Sequence, residues 1–227
     1  VIPLKIFIGY DPRETIAYHV LAHSIMARAS IPVAIIPLNR DNLKDVFSRE
    51  RGPLESTDFS ISRFLVPYLS GYEGWSVFMD CDMLCLTDIA ELMKIVEPYS
   101  SRAQAVYCVQ HSYKPRTAKK FLGQPQTPYP MKNWSSLMVF NNAKCRDLSV
   151  ETVNHESGLW LHQFQWANGI GSIPKEWNWL IDEYDGLPEN PKILHFTLGS
   201  PHFPETRYCT GAQLWLSEAA HLDYLRN

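Results

Sequence analysis

A repeated change of hydrophobic period through the first half constrains this chain most. Short apolar runs alternate with stretches whose apolar residues recur every three or four positions. Leu4-Lys5-Ile6-Phe7-Ile8 reads as a strand that stops at Gly9. From Thr15 to Ala29, the residues Ala17, Val20, Leu21, Ser24 and Ile25 fall on one helical stripe. Val33-Ala34-Ile35-Ile36 predicts a second strand, ended by Pro37. Ser56-Thr57-Asp58 offers N-cap side chains to a helix carrying Phe64, Leu65, Tyr68 and Leu69. Trp75-Ser76-Val77-Phe78-Met79 is a third strand, and Thr87-Asp88 caps a helix running to about Val96. Such alternation calls for an α/β fold with a mostly parallel central sheet flanked by helices.

The second half is less regular. Ala105–Val109, Ser136–Phe140 and Ile193-Leu194, which reaches His195, read as strands; Leu159–Ala167 and Gln213–Leu225 read as helices. Between His111 and Lys132 no period holds, and Pro, Lys, Gln and Thr dominate. A segment of that length inside a compact domain is a lid over a site or a solvated basic loop carrying Lys114, Arg116, Lys119 and Lys120. At 227 residues the chain suits one domain. Its two halves divide at about residue 110.

Composition removes several classes. With 45% hydrophobic and 20% charged residues the chain is not disordered. A net charge of −3, with no basic stripe interleaved with aromatics, argues against a nucleic-acid partner. No apolar run nears the roughly 18 residues that span a bilayer. The start lacks the basic region, long apolar stretch and cleavage site of a signal peptide, and opens on Val1 rather than Met, as a trimmed chain or a piece of a longer one does. Five cysteines, an odd number without a C-x-x-C pair, favour free thiols in a reducing compartment, and a cytoplasmic or membrane-peripheral location is the expectation. Cys81 and Cys85 could open a zinc site, but no second close pair comes after them, so they read as buried apolar residues.

In parallel sheets, ligands bind outside the carboxyl ends of strands. Two acidic turns stand at such ends: Gly9-Tyr10-Asp11 and Asp80-Cys81-Asp82. Asp80 and Asp82, at i and i+2 beyond an apolar strand, can face one point and offer hard oxygen ligands to Mg²⁺ or Mn²⁺. The alternative is a solvated turn that caps the next helix. His195 ends another apolar strand, and an imidazole beside two carboxylates shifts preference toward Mn²⁺. Read alone, His195 is a hydrogen-bonded structural histidine and Arg63 a surface arginine able to fork onto a diphosphate.

Four stretches in order resemble glycosyltransferases of the GT-A fold, family 8 above all, the family of glycogenin and bacterial lipo-oligosaccharide galactosyltransferases. They are Ile6-Phe7-Ile8-Gly9-Tyr10-Asp11 with the helix Tyr18–Ile25, then Ser62–Leu69, then Phe78–Leu84, then Leu194-His195-Phe196 with Gly199. The resemblance implies that Asp80, Asp82 and His195 hold the metal, Mn²⁺ or Mg²⁺. It implies that Ile8, Gly9, Tyr10 and Asp11 hold the nucleobase and ribose, with Arg63, Cys81 and Gly199 also on the donor side. The reaction implied is transfer of a sugar from a nucleotide donor, UDP-sugar first, to an acceptor hydroxyl on a glycan, lipid or protein. The first half would then bind the nucleotide sugar and the second face the acceptor.

This chain departs from that pattern in three places. Asn133-Trp134-Ser135-Ser136 stands where the family has Asn-Ala-Gly, and Trp134 and Ser135, with Trp177, become acceptor-side candidates, since sugar faces pack on aromatic rings. Pro201-His202-Phe203 replaces Lys-Pro-Trp, so His202 stands in for a phosphate-binding lysine. His162-Gln163-Phe164-Gln165 is the loose counterpart of Asp-Gln-Asp; Gln163 or Gln165 would lie near the reacting carbon of a retaining enzyme, while Asp182, Glu183 or Asp185 would be the base of an inverting one unless that acidic group is a solvated loop. Two rivals stay open: a nucleotidyltransferase of similar fold, and a module that binds nucleotide sugar or glycan without turnover.

Overall fold

The computed structural model describes residues 2–52, 55–96, 104–119, 121–123, 126 and 129–222. Nine strands emerge among them: β1 Leu4–Tyr10, β2 Val33–Asn39, β3 Trp75–Met79, β4 Met83–Cys85, β5 Val106–Cys108, β6 Leu137–Asn141, β7 Ile170–Ser172, β8 Trp179–Leu180 and β9 Ile193–His195. The helices are α1 Thr15–Met26, α2 Val66–Leu69, α3 Ala90–Val96, α4 Val150–His155, α5 Gly158–His162 and α6 Ala212–Ala220.

Six strands form one sheet in the order β2-β1-β3-β6-β5-β7. Strands β2, β1 and β3 run parallel, β6 is antiparallel to β3 and to β5, and β7 is parallel to β5, so only β6 is reversed. The expected mostly parallel sheet is present. Because β1 and β3 are neighbours, the two acidic turns stand side by side at one edge of the sheet.

The reversed β6 brings distant residues to these turns. It starts where β3 ends, with Met79 opposite Leu137 and the Asp80 N–H donating to the Ser136 carbonyl at 2.9 Å. Residues before β6 are thereby delivered to the Asp80 turn. A second sheet, β4-β9-β8, pairs Met83 with His195 and Leu180 with His195. It carries the 195 region back from the far end of the chain to Asp82, whose carbonyl accepts from Phe196 N–H at 2.8 Å.

Both sheets lean on α1. The large core includes Ile6, Ile8, Leu21, Ile25, Val77, Phe78 and Phe140, while Ala17 and Val20 join Leu84, Trp179, Leu194, Phe196 and Trp215 in a second cluster. Burial on two sides explains why seven of the helix's residues are inaccessible, more than one stripe requires.

Several elements differ from the sequence expectation. Strand β2 runs through Pro37 because it is the edge strand, where a missing N–H breaks no ladder. The helix expected after Ser56 becomes a 3₁₀ turn, Ser62–Leu65, and then the single turn α2, since Pro67 cannot continue a regular helix from the preceding residues. Phe164, in the left-handed region with φ 55°, ends α5 early. Strands β4, β7 and β8 are too short to show a period. Of the expected C-terminal helix, Ala212–Ala220 forms, and the expectation for 223–225 lies outside the described residues.

Candidate functional site

Asp80, Asp82 and His195 converge. One ligand atom from each lies within 4.8 Å of the other two. His195 Nε2 is 3.2 Å from Asp82 Oδ1 and 4.0 Å from Asp80 Oδ2. Asp80 is held from behind by Arg63, whose Nη1 lies 2.8 Å from Oδ1. Arg63 itself is buried, donates to the carbonyls of Ser135 at 2.9 Å and Phe59 at 3.3 Å, and has its guanidinium over the rings of Phe78 and Phe59. It is an internal brace rather than a surface arginine.

Asp82 Oδ1 is buried and receives no hydrogen bond, although His195 Nε2 is close. A buried carboxylate oxygen without a donor is costly, and a cation removes that cost. Two hard carboxylates and one imidazole form a donor set suited to Mn²⁺ or Mg²⁺. The residues present therefore fit a divalent metal.

The group stands in a cavity of about 480 Å³, a size that suits a small ligand. Its wall includes Phe59, Ser60, Ile61, Arg63, Tyr129, Lys132, Asn133, Ser135, Ser136, His162 and Thr197. Ser135 Oγ and His162 Nδ1 are 2.7 Å apart. Burial, assisted by the charge of Arg63, lowers His162 to about 3, so the ring is neutral at physiological pH. Lys132, whose ammonium lies over the Tyr129 ring, supplies a cation on this wall.

The segment after His111 packs back onto the molecule. Glu183, buried, accepts from Arg116 N–H at 2.9 Å and from Gln126 Nε2 at 2.8 Å. His111 Nδ1 is 2.7 Å from the Tyr184 hydroxyl, and Asn133 Nδ2 donates to the Tyr113 hydroxyl at 2.8 Å. The described part is a pinned strap; Lys120 lies outside the described residues.

The remaining expected site residues are more scattered. Ile8 is in the core. Gly9 lies under Phe59, where a Cβ would meet the ring at 2.4 Å. Tyr10 packs edge-on against Tyr18. Asp11 is buried and bound by Arg13 and the Asp58 N–H. Cys81 is fully buried toward Glu14, and burial pushes its thiol well up. Trp134 is half-buried and donates to the His111 carbonyl, while Trp177 is in the core. His162 faces the cavity, and its neighbours Gln163 and Gln165 are not on the cavity wall. Asp182 and Gly199 line a separate hollow of about 300 Å³ with Phe196, Glu205 and Tyr208. His202 bonds Ser200 and packs on Phe203 and Trp215, and burial lowers its pKa. Sequence reasoning gave no site role to His162, Lys132 or Asn178. Asn178, between Trp177 and Trp179, is a polar residue in an aromatic run, which was the available signal.

Solved structures share this architecture. The galactosyltransferase LgtC, in complex with donor and acceptor sugar analogs, superposes with a TM-score of 0.60 over 96% of each chain at 12% identity. GlyE of Streptococcus pneumoniae TIGR4 gives 0.60 at 10% identity, and the bifunctional glycosyltransferase WbbM 0.60 at 14%. Each match covers 96% of this chain, which spans 60% of GlyE and 50% of WbbM. The fold is the GT-A fold of glycosyltransferases.

By sequence the chain belongs to the family of Protein CDI of Arabidopsis thaliana, to which it is 48% identical over 227 aligned residues, 95% of this chain and 86% of that protein. No family model matches the chain.

Proposed function

We propose that this protein is a metal-dependent glycosyltransferase that moves a sugar from a nucleotide sugar, UDP-sugar first, to an acceptor hydroxyl on a glycan. The observation that carries this reading is the buried, undonated Asp82 oxygen facing His195 and Asp80 on the wall of the cavity. The chain acts as one catalytic domain: residues before 110 supply Asp80, Asp82 and Arg63, and later residues supply His195, Ser135 and His162.

Asp80, Asp82 and His195 would hold Mn²⁺ or Mg²⁺. Such an ion, when bound, neutralises charge on the departing diphosphate as a Lewis acid. Arg63 keeps Asp80 in place by a buried ion pair, so its position costs no reorganisation during reaction. Asn133, Ser135 and Thr197 offer polar groups for sugar hydroxyls. Phe59, Ile61 and Tyr129 exclude water, which would otherwise hydrolyse the donor. Lys132 contributes positive charge where the family pattern's lysine is replaced by His202. The five free cysteines suit a reducing compartment, and we place the enzyme in the cytoplasm or at a membrane periphery. No helix among the described residues is long and apolar enough to cross a membrane.

The test is calorimetric titration of UDP, GDP and CMP into the protein, each with Mn²⁺ and with EDTA. Selective, metal-dependent binding of UDP is expected. Absence of nucleotide binding under every condition would overturn the reading.

A further inference from the structure

Asn178 is fully buried and is not on the cavity wall, yet both ends of its amide are engaged. Its orientation is set by the hydroxyl beside it. A serine hydroxyl carries one proton. Ser136 Oγ gives that proton to the Asn133 carbonyl at 2.7 Å, an acceptor with none to return. Toward Asn178, 2.8 Å away, Ser136 can only accept, so the atom facing it is Nδ2. Oδ1 then faces His195 Nδ1 at 2.9 Å and can only accept, so Nδ1 carries the imidazole proton. In the neutral imidazole Nε2 is then left with its lone pair on the side of Asp82 Oδ1, 3.2 Å away, and Asp80 Oδ2, 4.0 Å away.

This arrangement suits a ligand and not an empty core. With no cation to bind, the opposite tautomer serves better: it would set the Nε2 hydrogen, rather than a lone pair, beside the Asp82 carboxylate, 3.2 Å away. The relay from the Asn133 carbonyl through Ser136 and Asn178 excludes that solution. Metal-bound histidines characteristically donate their second ring N–H to a fixed acceptor, which sets the tautomer.

We propose that Asn178 is a positioning residue: through Ser136 and the Asn133 carbonyl it locks His195 with its Nε2 lone pair presented to a divalent cation between Asp80 and Asp82. This rests on the metal-site reading of the proposed function. The relay also ties the site to the strap, because the Asn133 side chain donates to Tyr113 at 2.8 Å and to Thr197 at 3.3 Å.

The experiment measures Mn²⁺ dissociation constants of the full chain by electron paramagnetic resonance of free Mn²⁺, with melting curves alongside. The variants are Asn178→Leu, Asn178→Asp and Ser136→Ala. Asn178→Leu is expected to weaken Mn²⁺ binding about 10–100-fold, the range for such outer partners. Asn178→Asp keeps an acceptor for Nδ1–H and recovers most of the affinity; Ser136→Ala frees the amide to turn and falls between. A purely structural role would lower the melting temperature of Asn178→Leu without changing affinity in the folded protein, and that result overturns the proposal. So does an aspartate variant that loses as much as the leucine variant. Wild-type protein that binds no Mn²⁺ removes the metal-site reading itself, and this proposal with it. Nitrogen-15 spectra of the metal-free wild type at alkaline pH give a check that needs no variant: a proton on Nδ1 alone is expected, and a proton on Nε2 overturns the lock.

Discussion

The two acidic turns at the sheet edge are alike in sequence and opposite in chemistry. Asp11 comes after β1 and Asp80-Cys81-Asp82 after β3, and the two strands are parallel neighbours. Asp11 is satisfied by the protein. Its oxygens accept from Arg13 Nε at 2.8 Å, Arg13 Nη2 at 2.5 Å, Arg13 N–H at 3.0 Å and Asp58 N–H at 3.2 Å. Asp82 has a buried oxygen that receives no hydrogen bond and faces His195 Nε2 at 3.2 Å. A carboxylate surrounded by donors fastens the fold. A carboxylate with a buried oxygen left without a donor is suited to take a cation. The partners, not burial or location, distinguish the two carboxylates.

The comparison breaks most sharply at Asp82. Asp82→Ala is expected to lower Mn²⁺-dependent nucleotide affinity by more than about 100-fold, since loss of a mere outer partner already reaches that range. The melting temperature should hold or rise, because one of two crowded carboxylates is gone. Calorimetry with and without Mn²⁺ decides it, and unchanged binding would remove Asp82 from the site.

Asp11 should behave in the opposite way. Asp11→Ala is expected to cost about 3 kcal/mol of stability in urea unfolding, as expected for breaking a largely buried pair, with a far smaller effect on Mn²⁺ affinity. Burial alone would raise this carboxyl, but the hydrogen bonds from the Arg13 side chain and backbone outweigh it and hold it below 3.8. Its contribution is therefore complete above about pH 4 and is lost as pH falls through the lowered value. The stability gap between wild type and variant should close in that acid window; a gap that persists there would mean the pairing is not its source.

Gly9 tests how tightly the first turn is coupled to the cavity wall. Gly9→Ala places a Cβ at 2.4 Å from the Phe59 ring, and a loss of about 2 kcal/mol is expected from overpacking. Because Phe59 lines the cavity, a weaker nucleotide affinity should accompany it. An alanine variant with wild-type stability would show that Phe59 yields freely.

The smallest effect concerns Cys81, which lies between the two site carboxylates yet is inaccessible. Burial raises its thiol well above the ordinary range, so alkylation by iodoacetamide at neutral pH should spare it in the native protein. Rapid native modification, mapped by mass spectrometry, would contradict the packed turn seen here.

Much of the fold was legible locally. Strands β1, β3 and β6 and helix α1 could be read because each carries enough residues to show its apolar pattern, and the alternation of strand and helix through the first half gave the fold class. The Asp80-x-Asp82 pair was legible because an apolar strand delivers it. Asn178, Lys132 and His162 were not, since a single polar residue in an aromatic or basic run has no period to betray its direction. Read alone, Arg63 is a surface cation and by resemblance a donor-side residue; nothing local reveals that it lies over Phe78 and holds Asp80.

The sequence by itself determined where strands end, which carboxylates stand at those ends and which residue types could serve a metal. These depend on neighbours within a few positions. Only the tertiary structure decided which carboxylate meets donors and which keeps a buried oxygen without one. Asp58 reaches Asp11, β9 brings His195 to Asp82, and the reversed β6 and β8 bring Ser136 to Asp80 and Asn178 to His195, through pairings between residues far apart in the chain. Hydrogen-bond polarity depends on what is opposite in space, and no periodicity along the chain encodes that.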